Sequence, residues 1–83
     1  MLDPEVAEGL ALVALVRAVR LHEGFGARLV VRCGTSQFAE VVRTRPVRHR
    51  SVRVIVVDGC YVSPFGVTPL GRVLDLMAHL TAA

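Results

Sequence analysis

The side chains of this chain that can do chemistry are few: two cysteines (Cys33, Cys60), three histidines (His22, His49, His79) and ten arginines, with no lysine. A nucleophilic thiol needs an adjacent base and a third group to orient that base. Here each cysteine lies in an apolar, strand-like run, and the histidines are spread over a helix end, a loop and a second helix. Structural zinc announces itself by close pairs such as C-x-x-C, and the chain has none. Gly24-Phe25-Gly26 and Gly34-Thr35-Ser36 put glycine near strands. Neither follows a strand and opens a helix, as phosphate-cradling loops do. Glu40 and Asp75 are isolated carboxylates. The sequence therefore predicts no catalytic residue, no metal and no cofactor, and leaves catalysis only to a site assembled between subunits.

One segment concentrates charge. Residues 43–53, R-T-R-P-V-R-H-R-S-V-R, hold five arginines and a histidine, and no acidic residue occurs between Glu40 and Asp58. Guanidinium forks onto phosphate and tolerates interfaces better than ammonium. On a hairpin tip, Arg43, Arg45, Arg48, His49, Arg50 and Arg53 would form a candidate polyanion site, with Arg28 and Arg32 on the same side of the sheet. Phosphate contacts of this kind are sequence-tolerant and salt-sensitive. The plainer reading is a solvated loop, or arginines paired with Glu5, Glu8 or Asp75, with GC-rich codon usage as the alternative source of the arginine bias. The aromatic interleaving of single-strand binders is missing from the cluster.

These residues must be positioned by a small scaffold. At 83 residues with 53% hydrophobic side chains and a net charge of +3, the chain is long enough for one domain but has few interior places for its apolar groups. The surplus must lie on a surface, which predicts a homodimer. Asp3-Pro4-Glu5 reads as a cap, a first-turn proline and a dipole-matched acid. The first helix is expected to reach residue 21 or 22, with Gly24 as a left-handed stop. Ala7, Ala11, Ala14 and Ala18 form a small-residue stripe suited to close packing. Leu12, Val13 and Val16 fall on the opposite face and are the candidate oligomer seam.

Alternation of period two then predicts strands over 27–33, 37–44, 51–57 and 60–63. Gly34-Thr35-Ser36 and Asp58-Gly59 supply the hairpin turns, and Pro46 marks a break. Residues 63–66 read as a loop and Thr68-Pro69 as a second helix start, followed by the stripe Leu70, Val73, Leu74, Met77 and Leu80. The expected fold is α+β: helix, three to four antiparallel strands, helix (α-β-β-β-β-α), with both helices on one face. By parity the other face would carry Arg28, Val30, Arg32, Val41, Arg43, Arg53, Ile55 and Val57, an apolar centre with an arginine margin that could meet another protomer or a polyanion. The N-terminus is acidic where a secretory signal is basic, and the longest apolar run is too short to span a bilayer. A cytoplasmic protein without a membrane partner is the expectation, its thiols reduced.

Gly24-Phe25-Gly26 after a helix, the basic ribbon with Pro46, and Val62-x-x-Phe65 leading to Pro69 before a last helix loosely resemble the histone-like HU proteins. That resemblance implies a dimer whose basic β-arms embrace DNA. The chain departs from the pattern in lacking a second N-terminal helix, a strand before Gly-Phe-Gly, the family spacings and any lysine. The element order also resembles that of double-stranded-RNA-binding domains. There the likeness stops at residues 68–72, T-P-L-G-R, where that family has a lysine-rich helix start. The function expected from the sequence is a non-catalytic homodimeric interaction module, with DNA or RNA binding through the basic segment as the alternative.

Overall fold

Asp3 opens the first helix as its position before Pro4 predicts. In the computed structural model, which describes residues 3–32 and 36–82, its Oδ1 accepts the Glu5 amide at 2.9 Å. Helix α1 runs Pro4–Arg20, with Arg17 and Arg20 at its negative end. Gly24 follows at φ +86°. Its carbonyl accepts the Thr44 and Arg45 amides at 2.7 and 3.3 Å, so the turn after α1 is tied to the end of the second strand.

The chain then forms an antiparallel meander in sequence order: β1 Phe25–Val31, β2 Gln37–Arg43, β3 Val52–Val57, β4 Cys60–Ser63 and β5 Gly66–Pro69. A 3₁₀ turn, Leu70–Arg72, leads into helix α2, Val73–Ala82. The Asp58-Gly59 turn has both residues at positive φ, +49° and +74°, which matches the twist of the flanking strands. Cys33, Gly34 and Thr35, and with them most of the expected first hairpin turn, lie outside the described residues.

The α+β class and the placement of the helices agree with the sequence reading, but the sheet has five strands, not three to four. Residues 66–69, expected as loop and helix start, pair with β4 in the register Ser63↔Gly66, Tyr61↔Thr68 and Cys60↔Pro69. Pro64 and Phe65 make a two-residue turn, and Gly66 takes φ +131° to enter the strand. Pro69 ends an edge strand, where a missing N–H costs no ladder bond. The Thr68-Pro69 pair imitates a helix cap only while the register with β4 is unknown.

Cross-strand pairing sorts the sheet into two faces. Ala27, Leu29, Ala39, Val41, Val54, Val56, Tyr61 and Thr68 share the face under the helices. Most of them join Leu12, Leu15, Val16 and Val19 of α1 and Leu76, Met77 and Leu80 of α2 in one core. The alanines leave room for α1 across β1 and β2. Tyr61 is 1% exposed, and its hydroxyl donates to the Ala11 carbonyl at 2.7 Å, binding β4 to α1.

The helix faces correct the sequence reading. Leu12 and Val16, expected at an oligomer seam, are inside this core with Leu15 and Val19, while Ala14, Leu10 and Leu21 are exposed. Positions 12, 15, 16 and 19 are one stripe at helical spacing. While Ala11 and Ala18 of the alanine stripe pack, partly buried, against the same core, these positions carry the bulkier side chains and bury more apolar area than alanines do. Val13 lies beside them, half-buried. In α2 Leu76 is buried together with Met77 and Leu80, and Leu74 faces outward. No helix among the described residues is long and apolar enough to cross a membrane.

Candidate interaction surface

The face of the sheet away from the helices is organised in rows set by the strand register. Across its middle Arg28, Glu40 and Arg53 are cross-strand partners, and the Arg28 Nη2 lies 3.2 Å from the Glu40 Oε1. Towards the far ends of β1 and β2, Val30 pairs with Phe38. The guanidinium carbons of Arg53 and Arg32 stand 4.8 and 5.6 Å from the Phe38 ring centroid, a cation–π geometry. Phe38 is thereby only 7% exposed on a face that no helix covers. Towards the other end, Gly26 pairs with Val42, and Arg48 reaches a shallow cleft there with Arg20, Arg28 and Glu40. Glu40 is the one acidic side chain that the strands place on this face among the described residues.

The other half of the same face is apolar. Ile55, Val62 and Val67 form a continuous row over β3, β4 and β5, with Val57, Cys60 and Pro69 beside it. Ile55 is 41% exposed, Val57 44% and Val67 66%. β3 and β5 therefore present β-branched side chains to solvent, with the half-buried Val62 of β4 between them. Cys60 is a free thiol within this patch.

Of the residues expected on this face, Arg28, Val30, Arg53, Ile55 and Val57 are there, and Arg32 reaches it over Phe38. Val41 and Arg43 are not. Val41 pairs with Ala27 and Val52 on the covered face and is 3% exposed. Arg43 pairs with Phe25 and lies over its ring at 5.8 Å. The β2 register runs so that Gln37, Ala39, Val41 and Arg43 look toward the helices, which a parity count cannot tell from its mirror choice.

The basic segment is not an arm. Arg43 Nε donates to the Arg45 carbonyl at 3.2 Å, the His49 amide to the Arg43 carbonyl at 2.8 Å, and Arg45 pairs with Glu23 at 3.5 Å. With the two bonds to Gly24, these fold the β2–β3 connection against the sheet end. Its basic side chains have three destinations: Arg48 and Arg53 reach the helix-free face, Arg45 reaches Glu23, and Arg43, His49 and Arg50 line a cavity on the covered side. The projecting β-arm implied by the HU resemblance is absent among the described residues.

Phe38, Val62 and Val67 belong to the surface and were not expected there. The signal for Phe38 is its even spacing with Glu40, two residues apart on one strand. Val67 was hidden by a fifth strand that reads as loop. Among the described residues no three His, Cys, Asp or Glu side chains gather at metal-binding distance, and His22 packs edge-on to Phe25 at 6.4 Å. No protein-family model, curated protein or solved structure matches the chain.

Proposed function

We propose that this chain is a homodimeric interaction module that self-associates through the apolar half of its helix-free sheet face. The observation that supports this is the row Ile55–Val62–Val67 with Val57 beside it: Ile55, Val57 and Val67 are exposed, and Val62 between them is half-buried. Antiparallel sheets with one solvated face normally carry polar side chains there, and contiguous apolar patches mark partner sites. A two-fold axis through the patch lays apolar half on apolar half and leaves both arginine halves outside, free of like-charge contact. The area involved is at the small end for specific interfaces, roughly 1,000–1,200 Å² in total, so dissociation is expected near the micromolar range. Sedimentation equilibrium across that range tests the proposal. The wild type should shift from dimer to monomer on dilution, and Ile55→Glu or Val67→Glu should be monomeric with an unchanged circular dichroism spectrum. A wild type that stays monomeric at about a hundredfold above that range would overturn it.

A second reading has its own observation: Arg28, Arg32, Arg48 and Arg53 share one face on which the strands place Glu40 alone as a carboxylate among the described residues, with Glu8 of α1 lining a cleft beside Arg32 and Arg53. That half suits a phosphate backbone. If it serves one, anisotropy of a labelled oligonucleotide should fall by orders of magnitude in affinity between ~50 and ~200 mM salt and weaken in Arg48→Ala/Arg53→Ala. Absence of binding at low salt retires this reading and leaves the arginines to flank the dimer seam.

A further inference from the structure

On the covered side of the sheet, at the end where β1 begins and β2 stops, the helices leave a cavity of about 240 Å³. Its floor is Val41 and Leu80, 3% and 5% exposed. Half-buried Phe25 and Val52 line it as well, with the more exposed Phe65 from the β4–β5 turn. Arg43 at the end of β2 and His49 and Arg50 from the β2–β3 connection complete the lining, and no carboxylate side chain is among the lining residues. The His49 amide donates to the Arg43 carbonyl at 2.8 Å, which ties that connection to the end of β2.

We infer that this cavity binds a small amphipathic anion: a single aromatic ring carrying one carboxylate or phosphate. Three properties lead there. The interior is apolar and aromatic, so burying a hydrocarbon ring is favourable and Phe25 and Phe65 supply ring edges and faces to pack on it. The polar side chains are two guanidinium groups and an imidazole, with no acidic group among them, which match an anionic oxygen and not a cation. The volume suits such a ligand. It exceeds the ~150 Å³ that suffices for benzene and lies just below the ~300–1,000 Å³ of drug-sized clefts, which leaves room for one ring and one charged substituent. An apolar pocket with a few convergent polar groups is the usual form of a small-molecule site. The site lies on the opposite side of the sheet from the proposed dimer patch and does not depend on it.

The test is a titration of the full chain by isothermal calorimetry and amide chemical shifts, with phenyl phosphate and benzoate as probes and phenol and inorganic phosphate as half-ligands. Saturable binding of at least one ring-bearing anion is expected, with shifts centred on Phe25, Val52, Phe65 and Leu80. Each half-ligand should bind at least about tenfold more weakly, since each lacks one set of contacts. Arg50→Glu, at an exposed position, should weaken the anion by about tenfold or more and leave phenol unchanged, with an unaltered melting temperature showing that the fold survives. Phe65→Ala should weaken both ring ligands. No saturable binding of either anion up to about 10 mM overturns the inference. So does binding that phenol equals and Arg50→Glu does not change.

Discussion

The two faces of this sheet are built from nearly the same residues and have opposite fates. Along β3, Val54 and Val56 are 0% and 9% exposed, whereas their neighbours Ile55 and Val57 are 41% and 44% exposed. Apart from Arg53 the strand is apolar on both sides. The covered face is filled by interlocking side chains from both helices, with alanines where α1 crosses. The free face divides into an arginine half, its charges held by Glu40 and the Phe38 ring, and a bare β-branched half. Apolar character alone therefore did not select the interior. The interior is whatever the helices could reach, and the apolar remainder on the other side is the reason to expect a second molecule there.

That contrast can be broken most forcefully from the covered side. Leu12→Ala leaves a cavity in the core that α1 cannot close, and should cost about 2–5 kcal/mol in urea unfolding. A cost near zero would mean that Leu12 lies on an exposed seam after all. Tyr61→Phe comes next. It removes the hydroxyl bond to Ala11 and should cost roughly 1 kcal/mol at neutral pH.

The same variant isolates a pH dependence. Burial raises the Tyr61 pKa above its ordinary 10.0, so the unfolded chain releases this proton first as pH rises. The stabilisation is whole below pH 10 and is lost as pH climbs from there through the folded-state value. With one tyrosine and no lysine in the chain, the comparison with Tyr61→Phe assigns the decline to this hydroxyl. Wild-type stability should decline there, and Tyr61→Phe should flatten the decline.

Free-face substitutions should be smaller in stability and larger in association. Ile55→Glu should change monomer unfolding by no more than about 0.5 kcal/mol, while removing the dimer. A large loss of monomer stability would show that the free face is packed within the chain. Glu40→Gln should cost least, below about 0.5 kcal/mol, because Arg28 is 68% exposed and solvent screens the pair. Added salt should erase even that difference.

Much of this was legible in the residues because it is local chemistry. Asp3-Pro4 stops and starts a helix by one side-chain bond and a missing N–H, and Asp58-Gly59 takes positive φ within a two-residue turn. The class, the element order up to β4 and half of the free face follow from such signals plus alternation. The candidate surface was readable where a strand had an unambiguous partner, as with Arg28, Arg53, Ile55 and Val57. It was misread at Leu12 and Val16, where bulk outweighed an alanine stripe, and at Val41 and Arg43.

By itself, then, the sequence determined where elements begin, where they turn and that the chain carries more apolar surface than one small core absorbs, since each depends on neighbours within a few residues. Tertiary structure alone decided the fifth strand, the side taken by each β2 residue and the dispersal of the basic segment. Those outcomes rest on registers between distant strands, and a slip of one residue there exchanges every side chain between helix and solvent.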